Sequence, residues 1–208
     1  HLLAIAEIAT PSSLRAKAGC AYPVYAVTKH NGMMPSADFF NKRVHSRDIE
    51  GYRVVRRGQF AYATIHLDEG AIAVLDSADY ALISPMYTVF EVDETRVHAP
   101  YFIRKLKSSW ALNQYATLGN GSVHRRRSIP FEALGRLKVT LPSLVEQRRT
   151  ALLLDKADAL RQKRQKAIHL AAEFLRAVFL EMFGDPATNP KGWKVQRLSE
   201  IGTLDRGV

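Results

Sequence analysis

The stretch LPSLVEQRRTALLLDKADALRQKRQKAIHLAAEFLRAVFLEMFGDP, residues 141–186, decides the fold class. Ser143 and Glu146 directly after Pro142 form an S-x-x-E capping box, in which hydroxyl and carboxylate satisfy free N–H groups of a helix start. No glycine or proline follows until Gly184, which with Asp185-Pro186 supplies a stop. The stretch predicts one helix over 143–184, a rod of roughly 60 Å at about 1.5 Å per residue. Leu153, Ala157, Leu160, Arg164, Ala167, Ala171, Phe174 and Val178 recur at alternating steps of four and three, a heptad seam. So long a seam cannot be buried against a small domain and calls for a second long helix. Its alanines permit close approach, and Arg164 favours one register.

Upstream, 22–28 (YPVYAVT), 59–64 (QFAYAT), 71–75 (AIAVL), 86–92 (MYTVFEV) and 137–141 (LKVTL) read as strands, with Gly58 and Gly70 in turns. Residues 101–118 read as one helix, and 128–134 as a short helical turn after Pro130. The fold class is α+β: a mixed-sheet domain over 1–142, then the long helix over 143–184. In 185–208, Leu198-Ser199-Glu200-Ile201-Gly202-Thr203 repeats Ile5-Ala6-Glu7-Ile8-Ala9-Thr10 at an offset of 193. That segment reads as the start of a second, truncated repeat, from either a two-unit protein or a natural half-size one.

The 208 residues carry 30 Lys+Arg against 20 Asp+Glu, a net +10, which points to a polyanion. Residues 1–142 hold +6 of it, 143–184 +3 and 185–208 +1. One cysteine, Cys20, excludes an internal disulfide framework and a thiolate zinc cluster, and favours a reducing, cytoplasmic home. No apolar run reaches the ~18–20 residues of a membrane span. Catalytic signatures are missing. There is no [Asp/Glu]-x-Lys triplet for a metal-dependent nuclease, no Pro-Pro pair for an amino-methyltransferase site and no Gly-Lys-Ser/Thr for a P-loop, and the seven histidines lack metal-ligand spacing. The reading is a protein without catalytic residues, metal or cofactor of its own.

Binding chemistry is better represented. Lys29, His30 and Asn31 lie at a strand end beside Gly32, where Asn suits adenine and Lys suits guanine or phosphate; a polar hairpin loop is the alternative. Lys42, Arg43, His45 and Arg47 form a basic loop suited to phosphate. Tyr62 and His66, with Thr64 between them, share one side of a strand by period two and read as a polar-aromatic row, or as a half-exposed strand face. Ser122, His124, Arg125, Arg126 and Arg127 are the densest cluster: adjacent arginines repel one another, and a polyanion relieves that repulsion. Arg161, Lys163, Arg164 and Lys166 read better as the solvated flank of a coiled coil.

Several stretches, in order, resemble one family. YRVVRRGQFAY (52–62) resembles Y-x-V-V-x-x-G-D-F-x-Y with Gln59 in place of the acid. SPMYTVF (84–90) resembles S-P-x-Y-x-V-F, and Gly121-Ser122-Val123-His124-Arg125 resembles a loop of the same family. VTLPSLVEQ (139–147) resembles a final strand and L-P-P-L-x-E-Q helix start, with Ser143 for the second proline; Gly192-Trp193-Lys194 and Leu198-Ser199-Glu200-Ile201 resemble the opening of a recognition domain. The chain resembles the DNA-specificity subunit of type I restriction–modification enzymes. The resemblance implies a target-recognition domain that reads half of a bipartite double-stranded DNA site, followed by a spacer helix. It implies docking of DNA methyltransferase (modification) subunits and, through them, motor–nuclease subunits. S-adenosylmethionine, Mg²⁺ and ATP would belong to those partners, and the cell would be prokaryotic. With one unit where the family has two, the expectation is a homodimer through the helix. The rival expectation is a coiled-coil adaptor with a basic RNA- or protein-binding head.

Overall fold

The structure, a computed structural model, describes residues 2–39, 49–118 and 128–202. The chain divides into two compact units, His1–Leu153 and Leu154–Val208.

The first unit is built in layers. Strand β1 (Leu2–Ala4) leads into a 3₁₀ turn (Ile5–Glu7) and β2 (Ala9–Ser12). Then come β3 (Tyr25–Val27), β4 (Met33–Pro35), the single turn α1 (Ser36–Phe39), β5 (Arg53–Arg56), β6 (Phe60–Ala63), β7 (Ile72–Val74), β8 (Tyr80–Ile83) and β9 (Tyr87–Val92). Helices α2 (Ala99–Leu106), α3 (Ser109–Leu118) and α4 (Phe131–Gly135) follow, and β10 (Lys138–Thr140) closes the domain by pairing antiparallel with β1. The central sheet has the order β2-β9-β6-β7, all antiparallel.

Both faces of this sheet are covered. One face carries Phe60, Tyr62, Ile72 and Phe90, which pack with Phe102, Leu106, Tyr115 and Leu134 of the helices and with Ile5 and Ile8. The other carries Ala61, Ala73 and Val89, small enough for the hairpin β3–β4 and the pair β5–β8 to lie on top. Alternation along β6 therefore separates large from small side chains, not buried from exposed. Gly58 and Gly70 sit in turns with φ of +84° and +85°, the left-handed region that glycine enters without steric cost.

The predicted helix over 101–118 is two helices. Ser108 makes the break: its hydroxyl donates to the Lys105 carbonyl (2.7 Å) and accepts from Ala111 N (3.4 Å), which starts α3 anew.

Helix α5 (Leu144–Phe183) begins in the first unit. Glu146 takes hydrogen bonds from the Ser143 backbone N–H (2.9 Å) and hydroxyl (2.7 Å), and the hydroxyl accepts from Glu146 N (3.3 Å). Those bonds from Ser143, side chain first, hold the Glu146 carboxyl below its ordinary pKa. One residue on, Gln147 is fully buried. Its Oε1 accepts from His98 N (2.9 Å), and its Nε2 donates to the carbonyls of Arg96 (2.9 Å) and Pro142 (3.0 Å). Ala151 is buried one turn later, which is why the first turns of α5 belong to the compact domain.

In the second unit, Leu154 onward, α5 ends where Gly184 N bonds to the Leu180 carbonyl (2.8 Å). Trp193 returns to the helix end, its indole N–H donating to the Phe183 carbonyl (2.8 Å), and Asn189 bonds Trp193 through both its amide oxygen and nitrogen (2.8 Å each). Helix α6 (Leu198–Ile201) occupies the repeated motif. The backbone before the two copies is nearly the same: φ −72°, ψ 144° at Ala4 and φ −74°, ψ 142° at Arg197. Their surroundings differ: Ile5 and Ile8 are in the core, whereas Leu198 and Ile201 are 63% and 64% exposed.

Candidate nucleic-acid interface

The two ends of the central sheet carry different chemistry. One end holds the Gly58 turn and the Asp93–Val97 connection, to which Gln147 ties α5. Two of its arginines are neutralised, Arg56 by Glu91 (3.2 Å) and Arg57 by Asp79 (2.9 Å), while Arg96 donates to the Glu7 carbonyl (3.0 Å). The buried Gln59 donates to Glu91 (3.0 Å) and accepts from Arg56 N (2.9 Å). An acid at position 59, as in the pattern this stretch resembles, would set a second carboxylate against Glu91.

The opposite end gathers turns. The β6–β7 turn leaves the sheet there, as does the Ser84-Pro85-Met86 turn between β8 and β9, where Ala63 faces Tyr87. The β3–β4 hairpin projects past the same end, because Val24 bridges Leu82 in parallel and so points β3 along β8. Its tip is set by Thr28, whose N–H and hydroxyl donate to the Gly32 carbonyl (2.8 and 2.9 Å) and whose hydroxyl accepts from Asn31 N (2.9 Å). Lys29, His30 and Asn31 are thereby held exposed on a defined turn. The junction of α2 and α3 meets this tip: Lys107 Nζ donates to the Lys29 carbonyl (3.0 Å). Burial lowers the Lys107 pKa, and among the described residues no carboxylate pairs with it. Lys105 Nζ lies 4.5 Å from the centre of the Trp110 ring.

A second unpaired cation cluster lies beside the β8–β9 turn. Arg53 donates to the carbonyls of Pro85 (3.3 Å) and Ser12 (3.5 Å), and Arg15 to the carbonyl of Gly51 (2.9 Å). Burial and then the neighbouring Arg15 charge lower the Arg53 pKa. Neither guanidinium has a carboxylate partner among the described residues. Cations gathered without counter-charges suit a phosphate backbone. Acidic residues are present too: Asp68 and Glu69 lie in the β6–β7 turn, where His66 Nδ1 pairs with Glu69 (3.1 Å).

Set against the sequence expectations, the structure keeps Lys29, His30 and Asn31 together on one exposed tip. It separates Tyr62 from His66. Tyr62 is a core residue, 0% exposed, whose hydroxyl donates to the Ile129 carbonyl (3.0 Å), while the strand ends at Ala63 and His66 lies in the turn beyond. Tyr62 is thus no contact residue, because helices α2 to α4 cover the face that alternation assigned to solvent. It pins Ile129, two positions after Arg127, and Ile129 N bonds to the Thr64 carbonyl (2.8 Å). The basic loop of Lys42, Arg43, His45 and Arg47 lies outside the described residues, as does the run of Ser122, His124, Arg125, Arg126 and Arg127. The sequence reading missed Lys105, Lys107, Arg15 and Arg53. Only Arg53 had a signal, as a cation of the stretch YRVVRRGQFAY (52–62).

Tyr62 gives a first expected result together with Tyr115, whose hydroxyl donates to the Leu106 carbonyl (2.9 Å). Burial raises both phenol pKa values above the ordinary 10, strongly in each case. In the unfolded chain both ionise near pH 10, so the unfolded state loses protons first and stability falls as pH rises above 10. The expected slope is about 1.4 kcal/mol per pH unit for each phenol, read from urea midpoints between pH 9 and about 11.5. A flat profile there would show that neither phenol is buried.

Among the described residues no helix is long and apolar enough to cross a membrane, and no three His, Cys, Asp or Glu cluster as metal ligands would. No protein-family model matches the sequence, and no curated protein matches it. Solved structures do match. The HsdS subunit from Thermoanaerobacter tengcongensis aligns at TM-score 0.59 and 21% identity, over 96% of this chain and 54% of that one. A chain from the structure on complex assembly and conformational transition of the type I R-M system aligns at TM-score 0.57 and 18% identity, over 85% of this chain and 43% of that one. The chain spans about half the length of these proteins. Its mixed-sheet domain followed by a long helix is the fold of a type I restriction–modification specificity subunit.

Proposed function

We propose that the chain is a non-catalytic DNA-recognition subunit of a type I restriction–modification system. Its domain reads half of a bipartite duplex site, and its helix α5 joins two copies and docks the methyltransferase subunits, through which motor–nuclease subunits attach. The observation that carries the DNA part is the cation cluster at the end of the sheet away from α5: Lys29, Lys107, Arg15 and Arg53 have no acidic partner among the described residues, whereas Arg56 and Arg57 at the α5 end are paired with Glu91 and Asp79. The helix part rests on the exposed seam. Leu153, Ala157, Leu160, Arg164, Ala167, Ala171 and Phe174 all face solvent in the single chain, with Val178 half-buried. S-adenosylmethionine, ATP and Mg²⁺ fall to the partner subunits, and the setting is the prokaryotic cytoplasm.

A salt titration tests the DNA part. Each phosphate neutralised contributes about −0.9 to the slope of log affinity against log salt. Replacing Lys29, Lys105 and Lys107 together by glutamine is expected to make the slope shallower by about 2.7 and to weaken binding to a random duplex at low salt. An unchanged slope would place the phosphate contacts elsewhere.

A further inference from the structure

The most exposed large apolar side chain at the cation-rich end is Met86, 65% exposed. It sits on a braced turn. Tyr87 N bonds the Ser84 carbonyl (3.1 Å), and Met86 N reaches the Ser84 hydroxyl (3.5 Å). The Thr64 hydroxyl donates to the Met86 carbonyl (3.3 Å) and Arg53 Nε to the Pro85 carbonyl (3.3 Å). Pro85 adds a fixed φ to the same turn. A methionine left in water has no stabilising role in the domain, yet four bonds and a proline fix the backbone that presents it. Arg53 and Arg15 lie beside the turn, so a polyanion drawn to them meets Met86.

We propose that Met86 is a specificity-determining residue that makes an apolar contact with a thymine methyl group in the duplex. The inference rests on the DNA reading above. Thymine's C5-methyl is the one apolar group that bases present in the major groove. A flexible thioether chain can cover it without leaving a polar atom unpaired. Arg53, anchored to the Pro85 carbonyl and to Ser12, fixes where the turn stands relative to the backbone phosphates.

Selection from a randomised duplex pool by the full-length chain and by Met86→Ala tests this. The wild type is expected to enrich a motif with a thymine that the variant no longer selects, the rest of the motif being kept. Replacing that thymine by deoxyuridine removes only the methyl. It should weaken wild-type binding about fourfold, the worth of one buried methyl-sized group, and leave Met86→Ala unaffected. Identical motifs for the two proteins, or equal deoxyuridine effects in both, overturn the proposal; so does a uniform loss of affinity with no change in motif. If the wild type enriches no sequence, the DNA reading itself fails, which is a separate result. Met86 is exposed, so the alanine variant is expected to unfold at the wild-type urea concentration.

Discussion

Replacing Gln147 by leucine is expected to cost about 3 kcal/mol or more, the largest single-residue loss in the domain outside its aromatic core. The side chain is fully buried and makes three hydrogen bonds that join α5 to Arg96 and His98 in the connection between β9 and α2 and to Pro142. Leucine fills a similar volume but leaves one N–H and two carbonyls unpaired, each costing about 1–3 kcal/mol. That loss is a large part of the roughly 5–15 kcal/mol by which domains are ordinarily stable. Removing the capping hydroxyl by Ser143→Ala, at an exposed position, should cost only about 1 kcal/mol. Gln147→Glu separates the two halves of the amide. An ionised carboxylate still accepts from His98 N but faces the Arg96 and Pro142 carbonyls with no proton to donate. Burial raises its pKa, so the variant should be weakest at neutral pH and recover as pH falls through that raised value. Urea unfolding of the three variants at pH 5 and pH 7.5 checks this order. A Gln147→Leu variant as stable as Ser143→Ala would mean the anchor is not where the structure puts it.

The second large effect is on assembly. The seam 153, 157, 160, 164, 167, 171, 174, 178 reads the same from either end. Laid antiparallel on itself, it sets Leu153 opposite Val178, Ala157 opposite Phe174, Leu160 opposite Ala171 and Arg164 opposite Ala167. In three of the four pairings a large residue meets an alanine, Leu153 and Val178 pair as aliphatic residues, and the two arginines lie off-centre on opposite partners. Parallel pairing would instead stack Phe174 on Phe174 and Arg164 on Arg164. The purified chain is therefore expected to be a dimer, and Leu160→Lys with Phe174→Lys a monomer. Two substitutions remove four buried side chains per dimer at about 1.5–3 kcal/mol each, a weakening on the order of 10⁴-fold or more. Light scattering at micromolar concentration reads it. In a Cys20→Ser background, cysteines at 153 and 178 in the same chain should cross-link two copies. Leu153→Cys alone should not, since its own mates would lie about 37 Å apart. Cross-linking by that single variant would indicate parallel pairing.

How much of this was legible in the sequence follows from how local each signal is. Helix α5 was legible almost to the residue, because its cap, its stop and forty residues without glycine or proline are all near neighbours in the chain. The turns at Gly58 and Gly70 were legible for the same reason. The break between α2 and α3 carried no glycine or proline; its cause, the Ser108 cap, looks like any serine in a helical pattern. Tyr62 misled because period-two alternation is silent about what covers each face of a sheet; helices α2 to α4 cover the face that carries Tyr62, and the β5–β8 pair and the β3–β4 hairpin cover the other. The pairing of β1 with β10 joins residues more than a hundred positions apart and left no local trace. The candidate interface was half legible. The Lys29–Asn31 tip showed as polar residues beside a turn glycine, but Lys107 joins it only through a 78-residue separation. Gln147, the residue that fastens the helix, ends the stretch VTLPSLVEQ (139–147), and its burial became visible only with the carbonyls around it.

On the function proposed above, this chain reads duplex DNA as a two-fold pair. Selection of a randomised duplex pool by the purified full-length chain, without partner subunits, tests it most directly. The expected result is enrichment of two inverted half-sites at one fixed spacing, since two-fold symmetry in the protein imposes it on the site. A pool that emerges without any enriched sequence, or with a single unpaired half-site from a monomer, would contradict it.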